Sequence, residues 1–340
     1  MIINIKDLSI DELYSFIKKQ AEPEYRADQI MNWLYKRDAS SFCEMTNITK
    51  TFRTKLYDNA LLHKFKSFQS LKSSDGVTKY RIELLDGNFI ETVLIPEKNK
   101  STICISTQVG CKFGCKICRT GQMGFKRNLT SGEIIEQIIT VRRDQGKHSK
   151  ITNIVFMGMG EPLDNFDNLK KSLEIIIYKK ALDFSPRYIT VSTVGYLPNL
   201  INLGESFPGI GLAISLNAAN NKTRDEIMPF NRKYSIEKII SALKKYPLKP
   251  RKVITIEYVL INDINDSPDD AKKLVKLIRD LRCKVNLIPY NDFKSSKYKP
   301  PSPEKIEKFR MQLINSGYTC ITRKSRGKGI NAACGCLATL

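Results

Sequence analysis

Cys111-Lys112-Phe113-Gly114-Cys115-Lys116-Ile117-Cys118 places three thiols within eight residues, at spacings of four and three. No regular strand or straight helix puts all three on one face, so the stretch reads as a loop wrapped around something. Thiolates held this close are metal or cluster ligands far more often than core residues. A closed structural zinc site takes four ligands, and a complete iron–sulfur cluster takes four cysteines. Three thiols suit a [4Fe–4S] cluster with one iron left open to a small molecule. The competing reading, buried thiols or half of a zinc site, is outweighed by what surrounds the loop.

Residues 102–106 read as a strand running into the loop, and Thr130-x-x-Glu133 as a capping box opening an amphipathic helix to about Gln145. Beyond it, strands at 153–157, 188–192, 211–216, 252–260 and 284–288 alternate with helices at 169–180, 236–246, 271–281 and 304–315. With the strand at 102 these make six β/α units, the pattern of a parallel sheet curved into a full or partial barrel. Residues 319–323 suit an edge strand. Active sites of such folds gather at the C-terminal ends of the strands. The unusual residues do follow the strands: the cysteine loop, then Gly158-Met159-Gly160-Glu161-Pro162, Ser192-Thr193-Val194-Gly195, Ser215-Leu216-Asn217-Ala218 and Pro289-Tyr290-Asn291. Glycines there let a ligand approach the backbone, and small polar side chains suit a nucleoside and an amino-acid head group.

Toward the N-terminus, Ser9 can cap a helix carrying Leu13, Phe16 and Ile17. Pro23 opens the next, with Ile30, Trp33 and Leu34 on one face and Arg26, Lys36 and Arg37 off it. This is the pattern of a small helical accessory unit, for RNA contact or for docking. A hairpin follows, 80–85 and 88–95 around Asp86-Gly87. The expected organisation is an accessory unit over 1–90, a core over 91–329 and a C-terminal loop over 330–340.

The 340 residues are 41% hydrophobic and 27% charged, an ordinary globular balance. The expectation is a cytoplasmic protein, with no signal peptide and no apolar run long enough to span a bilayer. Nine cysteines, an odd number, do not suggest a secreted disulfide framework. A net charge of +21 points to a polyanion, RNA or DNA, over a merely lysine-rich surface. His63 and His148 read as surface residues, Lys294, Lys297 and Lys299 as a solvated loop, and Cys43, Cys283 and Cys320 as structural thiols.

The C-x3-C-x2-C spacing is that of the radical S-adenosylmethionine (SAM) enzymes, and Met157-Gly158-Met159-Gly160-Glu161-Pro162 narrows the resemblance. The chain resembles the RlmN/Cfr family of radical SAM RNA methyltransferases over nearly its whole length. The similarity includes Glu22-Pro23-Glu24-Tyr25-Arg26-Ala27, Ile90-Glu91-Thr92-Val93, Cys104 to Cys111, Thr255-Ile256-Glu257-Tyr258-Val259, Val285 to Asn291 and Asn331-Ala332-Ala333-Cys334-Gly335. Pro162 and the Ile256-Glu257-Tyr258 strand look more like the RlmN branch, which methylates C2 of adenosine in 23S rRNA and tRNA, than the Cfr branch, which methylates C8.

The resemblance implies a partial (β/α)6 TIM-like barrel with a small N-terminal helical accessory domain, a [4Fe–4S] cluster, and SAM. It implies Cys111, Cys115 and Cys118 as cluster ligands and Gly160, Glu161, Ser192, Ser215, Leu216, Asn217 and Asn291 as SAM contacts. It also implies Cys334 as the cysteine that becomes methylated, Cys104 as its resolving partner through a transient disulfide, and Glu91 as proton acceptor. The implied partners are 23S rRNA, tRNA and a flavodoxin- or ferredoxin-type electron donor, with the chain a monomer and no membrane. Adenine C2 lies between two ring nitrogens and is too electron-poor to attack a sulfonium methyl, which is why a radical is needed. Two positions depart from the family pattern: Asn217 stands where histidine is frequent, and Cys336 where glutamine is usual. In an extended loop Cys336 would project to the same side as Cys334. The competing class is a non-enzymatic zinc- or cluster-containing RNA-binding protein, which accounts for charge and thiols but not for the polar loops on one barrel face.

Overall fold

A computed structural model describes residues 2–146, 150–293 and 296–338; His148 and Lys294 lie outside them. The frame is one ten-stranded sheet. Its strands are β1 (Ser67–Lys72), β2 (Thr78–Glu83), β3 (Phe89–Glu97), β4 (Lys100–Cys104), β5 (Asn153–Phe156), β6 (Ile189–Thr193), β7 (Gly211–Ser215), β8 (Ile254–Leu260), β9 (Cys283–Pro289) and β10 (Cys320–Thr322). They lie side by side in chain order. β1 to β4 pair antiparallel, and β4 to β10 pair parallel.

That order has a consequence. Each parallel crossover steps to the next strand in the same direction. Crossovers are right-handed, so the connecting helices stack on one face and leave the other face free to enclose a site. The helices are α4 (Ser131–Gln145), α5 (Phe166–Ile177), α6 (Leu200–Ser206), α7 (Ile236–Lys244), α8 (Pro268–Ile278) and α9 (Pro303–Asn315), after α1 (Ile10–Lys19), α2 (Tyr25–Met31) and α3 (Lys50–Asn59) in the N-terminal unit. The six expected β/α strands are all present, and β10 is the expected edge strand, so the partial barrel is an open sheet with two free edges. β1 was not expected. Its six residues are all exposed, so no buried face imposes a period on the sequence.

The N-terminal unit has its own apolar cluster, in which Ile5, Leu13, Ile17, Ile30, Leu34, Phe42, Phe52 and Leu56 pack together. Ser9 caps α1 in a full capping box. Pro23 falls two residues before α2 rather than in its first turn, and α2 runs on into a π turn at Asn32–Lys36. Ile135 and Ile139 of α4 and Ile175 of α5 complete this cluster, while Ile134, Ile138 and Val141 of α4 belong to the barrel core. The helix expected to be amphipathic is therefore buried on two faces. The boundary expected at residue 90 falls inside β3, so the hairpin is continuous with the barrel sheet. Among the described residues no helix is long and apolar enough to cross a membrane.

His63 is exposed, as are Lys297 and Lys299. Of the thiols expected to be structural, Cys320 is buried and Cys283 half-buried, but Cys43 is exposed and accepts a hydrogen bond from Tyr57 Oη.

Candidate active site

The cysteine loop is fixed by its backbone. Cys111 N–H donates to Gly124 O at 2.8 Å, Lys116 N–H to Ile227 O at 2.9 Å and Arg119 N–H to Gly335 O at 2.8 Å. Gln108–Gly110 and Phe125–Asn128 pair as a small antiparallel ribbon at its base. Cys111, Cys115 and Cys118 face one cavity. Burial pushes Cys111 up to about 12, Cys115 well above its ordinary value, and Cys118 in the same direction. Unliganded, these thiols stay protonated, and binding an electrophilic iron centre must displace their protons. No three His, Cys, Asp or Glu side chains among the described residues converge on a single ion. Three thiols lining one cavity are residues that would hold a [4Fe–4S] cluster with one iron left open.

The loops after β5, β6, β7 and β9, with Glu257 and Val259 of β8 itself, contribute to the same cavity, so the sheet curves around it. Gly160 has φ +97°, and a Cβ there would stand 2.5 Å from the Gln108 side chain. This close approach ties the loop after β5 to the segment entering the cysteine loop: Glu161 N–H donates to Gln108 Oε1 at 2.8 Å, and Gln108 Nε2 to Asp164 Oδ2 at 2.8 Å. Glu161 is 2% exposed. Its carboxylate accepts from Val194 N–H at 2.9 Å and Leu163 N–H at 3.1 Å, yet burial raises it to about 7. Ser192 Oγ and Ser215 Oγ lie 3.5 Å apart on neighbouring strands. Asn217 holds φ +59°, and its Oδ1 accepts from Val259 N–H at 2.9 Å. Leu216 does not line the cavity; its contribution is backbone, N–H to Glu257 O at 3.0 Å.

Two buried acceptors facing the cavity, Asn291 Oδ1 and Glu257 Oε2, have no hydrogen-bond partner. Buried acceptors are ordinarily satisfied. A ligand with cationic or N–H and O–H donors would satisfy them, and SAM, with its ammonium, adenine amine and ribose hydroxyls, has such donors. Glu257, though quoted in the sequence motif, was not expected in the site. Strand alternation points it inward, and a carboxylate in an otherwise apolar strand was the available signal.

The C-terminal segment closes the bowl. Asn291 Nδ2 donates to Cys334 O at 3.1 Å and Thr120 Oγ1 to Leu337 O at 2.6 Å. Ala338 N–H donates to Glu91 Oε2 at 2.9 Å. Cys334 stands on the wall between this cavity and a second one, which Cys104 lines. Cys334 is exposed at this wall yet lies deep in the molecule; burial pushes Cys334 to about 11 and Cys104 to about 12. All nine cysteines are free. Glu91 lines neither cavity. It is 1% exposed, pairs with Lys79 at 3.1 Å and is raised by burial.

One expectation changes here. Cys336 does not project beside Cys334. Gly335, at φ +84°, makes a turn closed by Cys336 N–H to Ala333 O at 3.0 Å, and Cys336 packs with Tyr290 and Phe293 instead. The basic run at 323–328 is partly engaged: Arg323 lines both cavities, Arg326 donates to Asp75 O at 2.5 Å, and Gly327 N–H donates to Asp75 Oδ2 at 2.9 Å. Arg26 is likewise held inside the accessory unit by Gln29 and Asn47 O.

Comparison with known proteins identifies the family. The Ribosomal RNA large subunit methyltransferase N-terminal domain family matches residues 3–62, and the Radical SAM superfamily matches residues 105–278. The dual-specificity RNA methyltransferase RlmN of Geobacter sulfurreducens is 46% identical, covering 98% of this chain and 91% of the relative. That of Desulfosudis oleivorans is 47% identical over 92% and 85% respectively. The crystal structure of a radical SAM methyltransferase from Sphaerobacter thermophilus superposes with a TM-score of 0.92 at 38% identity, covering 98% of this chain and 99% of that one. Identity at this level over both parts of the chain, with three thiols and the strand-end loops on one cavity, means that this protein belongs to the RlmN family of radical SAM RNA methyltransferases.

Proposed function

We propose that the chain methylates C2 of adenosine in 23S rRNA, at the peptidyl transferase centre, and in the tRNA anticodon loop, consuming two SAM per turnover. The observation that supports it most is the place of Cys334, on the wall between the cavity of the three cluster thiols and the cavity of Cys104. A thiol there can meet a methyl donor on one side and a resolving thiol on the other.

Cys111, Cys115 and Cys118 would hold the [4Fe–4S] cluster, and Gly160, Glu161, Ser192, Ser215, Leu216, Asn217 and Asn291 would hold SAM. When bound, the cluster supplies the electron that splits SAM to a 5′-deoxyadenosyl radical. The Cys334 thiolate takes the methyl group of a first SAM by displacement. Loss of one hydrogen from that S-methyl group to the radical leaves a carbon radical on Cys334, which adds to adenine C2. Glu91, less acidic than an exposed carboxylate because it is buried, takes the C2 proton, and the unpaired electron of the adduct would return to the oxidised cluster. For this the 334–338 segment has to release it from Ala338 N–H. The Cys104 thiolate then attacks the Cys334 sulfur and breaks its bond to the methylene carbon, which takes up a proton to give the methylated base; the disulfide left behind goes to an external reductant. The closed bowl keeps water from the radical.

On this reading the helical unit ahead of β1 contacts RNA, the ten-stranded sheet from β1 onward with its helices is the radical core, and residues 330–340 form the loop that carries the methyl group. The protein works as a cytoplasmic monomer reduced by a flavodoxin- or ferredoxin-type donor. Mass spectrometry of nucleosides from rRNA and tRNA of cells with and without the gene tests the proposal. 2-Methyladenosine present only with the gene is expected. 8-Methyladenosine in its place would transfer the protein to the Cfr-type reaction.

A further inference from the structure

Arg224 is the largest side chain among those fully buried. It belongs to the short helix Asn221–Ile227, which follows β7. Its Nε donates to Leu216 O at 2.8 Å, Nη1 to Asn231 Oδ1 at 2.9 Å, and Nη2 to Val194 O at 2.6 Å and Ser215 O at 3.3 Å. All four acceptors are neutral. The Asp225 carboxylate is reached through Asn231, whose Nδ2 donates to Asp225 Oδ1 at 2.7 Å. A guanidinium sealed from water without a directly bonded anion is costly, and proteins keep such a group where a counter-charge comes from elsewhere.

The surroundings of Arg224 identify that counter-charge. One turn further along the same helix, Ile227 O accepts Lys116 N–H at 2.9 Å, so the helix is bonded to the loop between Cys115 and Cys118. Ile227 and Met228 pack with Phe113, Cys115 and Ile117 in one apolar cluster. Val194 and Ser215, whose carbonyls the guanidinium holds, line the thiol cavity. Burial lowers Arg224 to about 10, against which Cys115 acts as the leading charge, and the group stays cationic at neutral pH.

We propose that Arg224 is the fixed counter-cation of the iron–sulfur cluster and raises its reduction potential, an inference that rests on the cluster reading given above. A cluster held by three thiolates is an anion, and its charge grows by one when the external donor adds one electron; no bond forms or breaks. A buried positive charge stabilises the reduced form more than the oxidised one. The same fork positions the ends of β6 and β7, which makes Arg224 a positioning residue for the cavity and not a catalytic one.

The test uses the full chain, reconstituted anaerobically with iron and sulfide, as native protein, R224K and R224Q. Iron content, EPR-monitored redox titration and thermal unfolding with and without cluster are measured. In R224Q the midpoint is expected to fall by at least tenfold in the reduction equilibrium, about 59 mV for a one-electron couple. R224K, which keeps the charge but not the fork, is expected to retain a potential within about threefold of native while losing thermal stability. R224Q is also expected to gain less thermal stability from the cluster than native protein does. A native potential in cluster-loaded R224Q overturns the proposal. So does failure of both R224K and R224Q to take up a cluster, which would assign Arg224 to folding alone. Native protein that takes up no cluster would instead sink the cluster reading itself.

Discussion

Glu161 shows how a single side chain couples pH to this site. It was legible in the sequence as part of Gly160-Glu161-Pro162, but its burial was not. In the fold it is raised from the usual 4.5 to about 7. A carboxyl whose folded value lies above its unfolded value favours the folded state fully below pH ~4.5, and that contribution is lost as pH rises through about 7. The difference costs the ligand-free fold roughly 3 kcal/mol above that range. SAM is cationic, and on the proposed reading it binds beside Glu161, which would favour the carboxylate. We therefore expect SAM affinity to rise as pH increases through 7, with proton release on binding below it. Glu161→Gln should flatten that pH dependence, weaken binding and stabilise the ligand-free chain at pH 8, by up to about 3 kcal/mol. Calorimetric titration in buffers of different ionisation heat measures the proton release; affinity in the native chain that is constant from pH 6 to pH 8 would refute the coupling.

At the scale of elements, the loop after β5 is the joint of the site. Gly158 and Gly160 were readable as places where a ligand could approach the backbone. The fold reveals a different neighbour: the chain itself. A Cβ on Gly158 would lie 2.6 Å from Ile105 O, and one on Gly160 2.8 Å from Gln108 N. Met159 O accepts from Thr107 N–H at 2.8 Å and from Gln108 N–H at 3.2 Å. The loop is thus stapled to the segment that leads to Cys111, and any displacement of one moves the other. Gly160→Ala is expected to destabilise the protein by about 3 kcal/mol, from positive φ plus overpacking, and to lower iron content together with SAM affinity. Denaturant unfolding and iron analysis of the variant check this; native stability with full iron would show the joint to be soft.

At the scale of the molecule, the accessory unit is held to the barrel by apolar contact through α4 and by one buried ion pair. Lys6 Nζ meets Glu136 Oε2 at 2.5 Å, with side chains 1% and 3% exposed. Glu136 Oε1 has no hydrogen-bond partner, and burial raises Glu136 against the pull of Lys6. Removing the lysine leaves a buried carboxylate with only Arg143, at 3.9 Å, to offset it, and breaking such a pair costs up to ~3–5 kcal/mol. Lys6→Met should therefore destabilise the chain by about that amount and expose residues 1–62 to limited proteolysis. Lys6→Met with Glu136→Leu should recover most of the loss. Denaturant unfolding of both variants and the parent distinguishes the outcomes: a stable Lys6→Met would mean that this ion pair contributes little to holding the unit.

The sequence by itself determined the alternation of strands and helices, the parallel sheet, the helix cap at Ser9, the capping box at Thr130, and the thiol spacing. Each is a local pattern, set by side-chain period, backbone geometry or distance along the chain. The tertiary structure alone decided what depends on residues far apart in sequence. It joined β1 to β4 into the barrel sheet, because a fully exposed strand such as Ser67–Lys72 carries no period to read. It buried α4 on two faces, because two cores meet across that helix. It turned Cys336 away from Cys334 at Gly335, set Cys334 between two cavities, and brought Glu257, Arg323 and the buried charge of Arg224 to a site that short motifs did not assign them. Burial and long-range pairing fix those positions, and neither is written in the spacing of neighbouring residues.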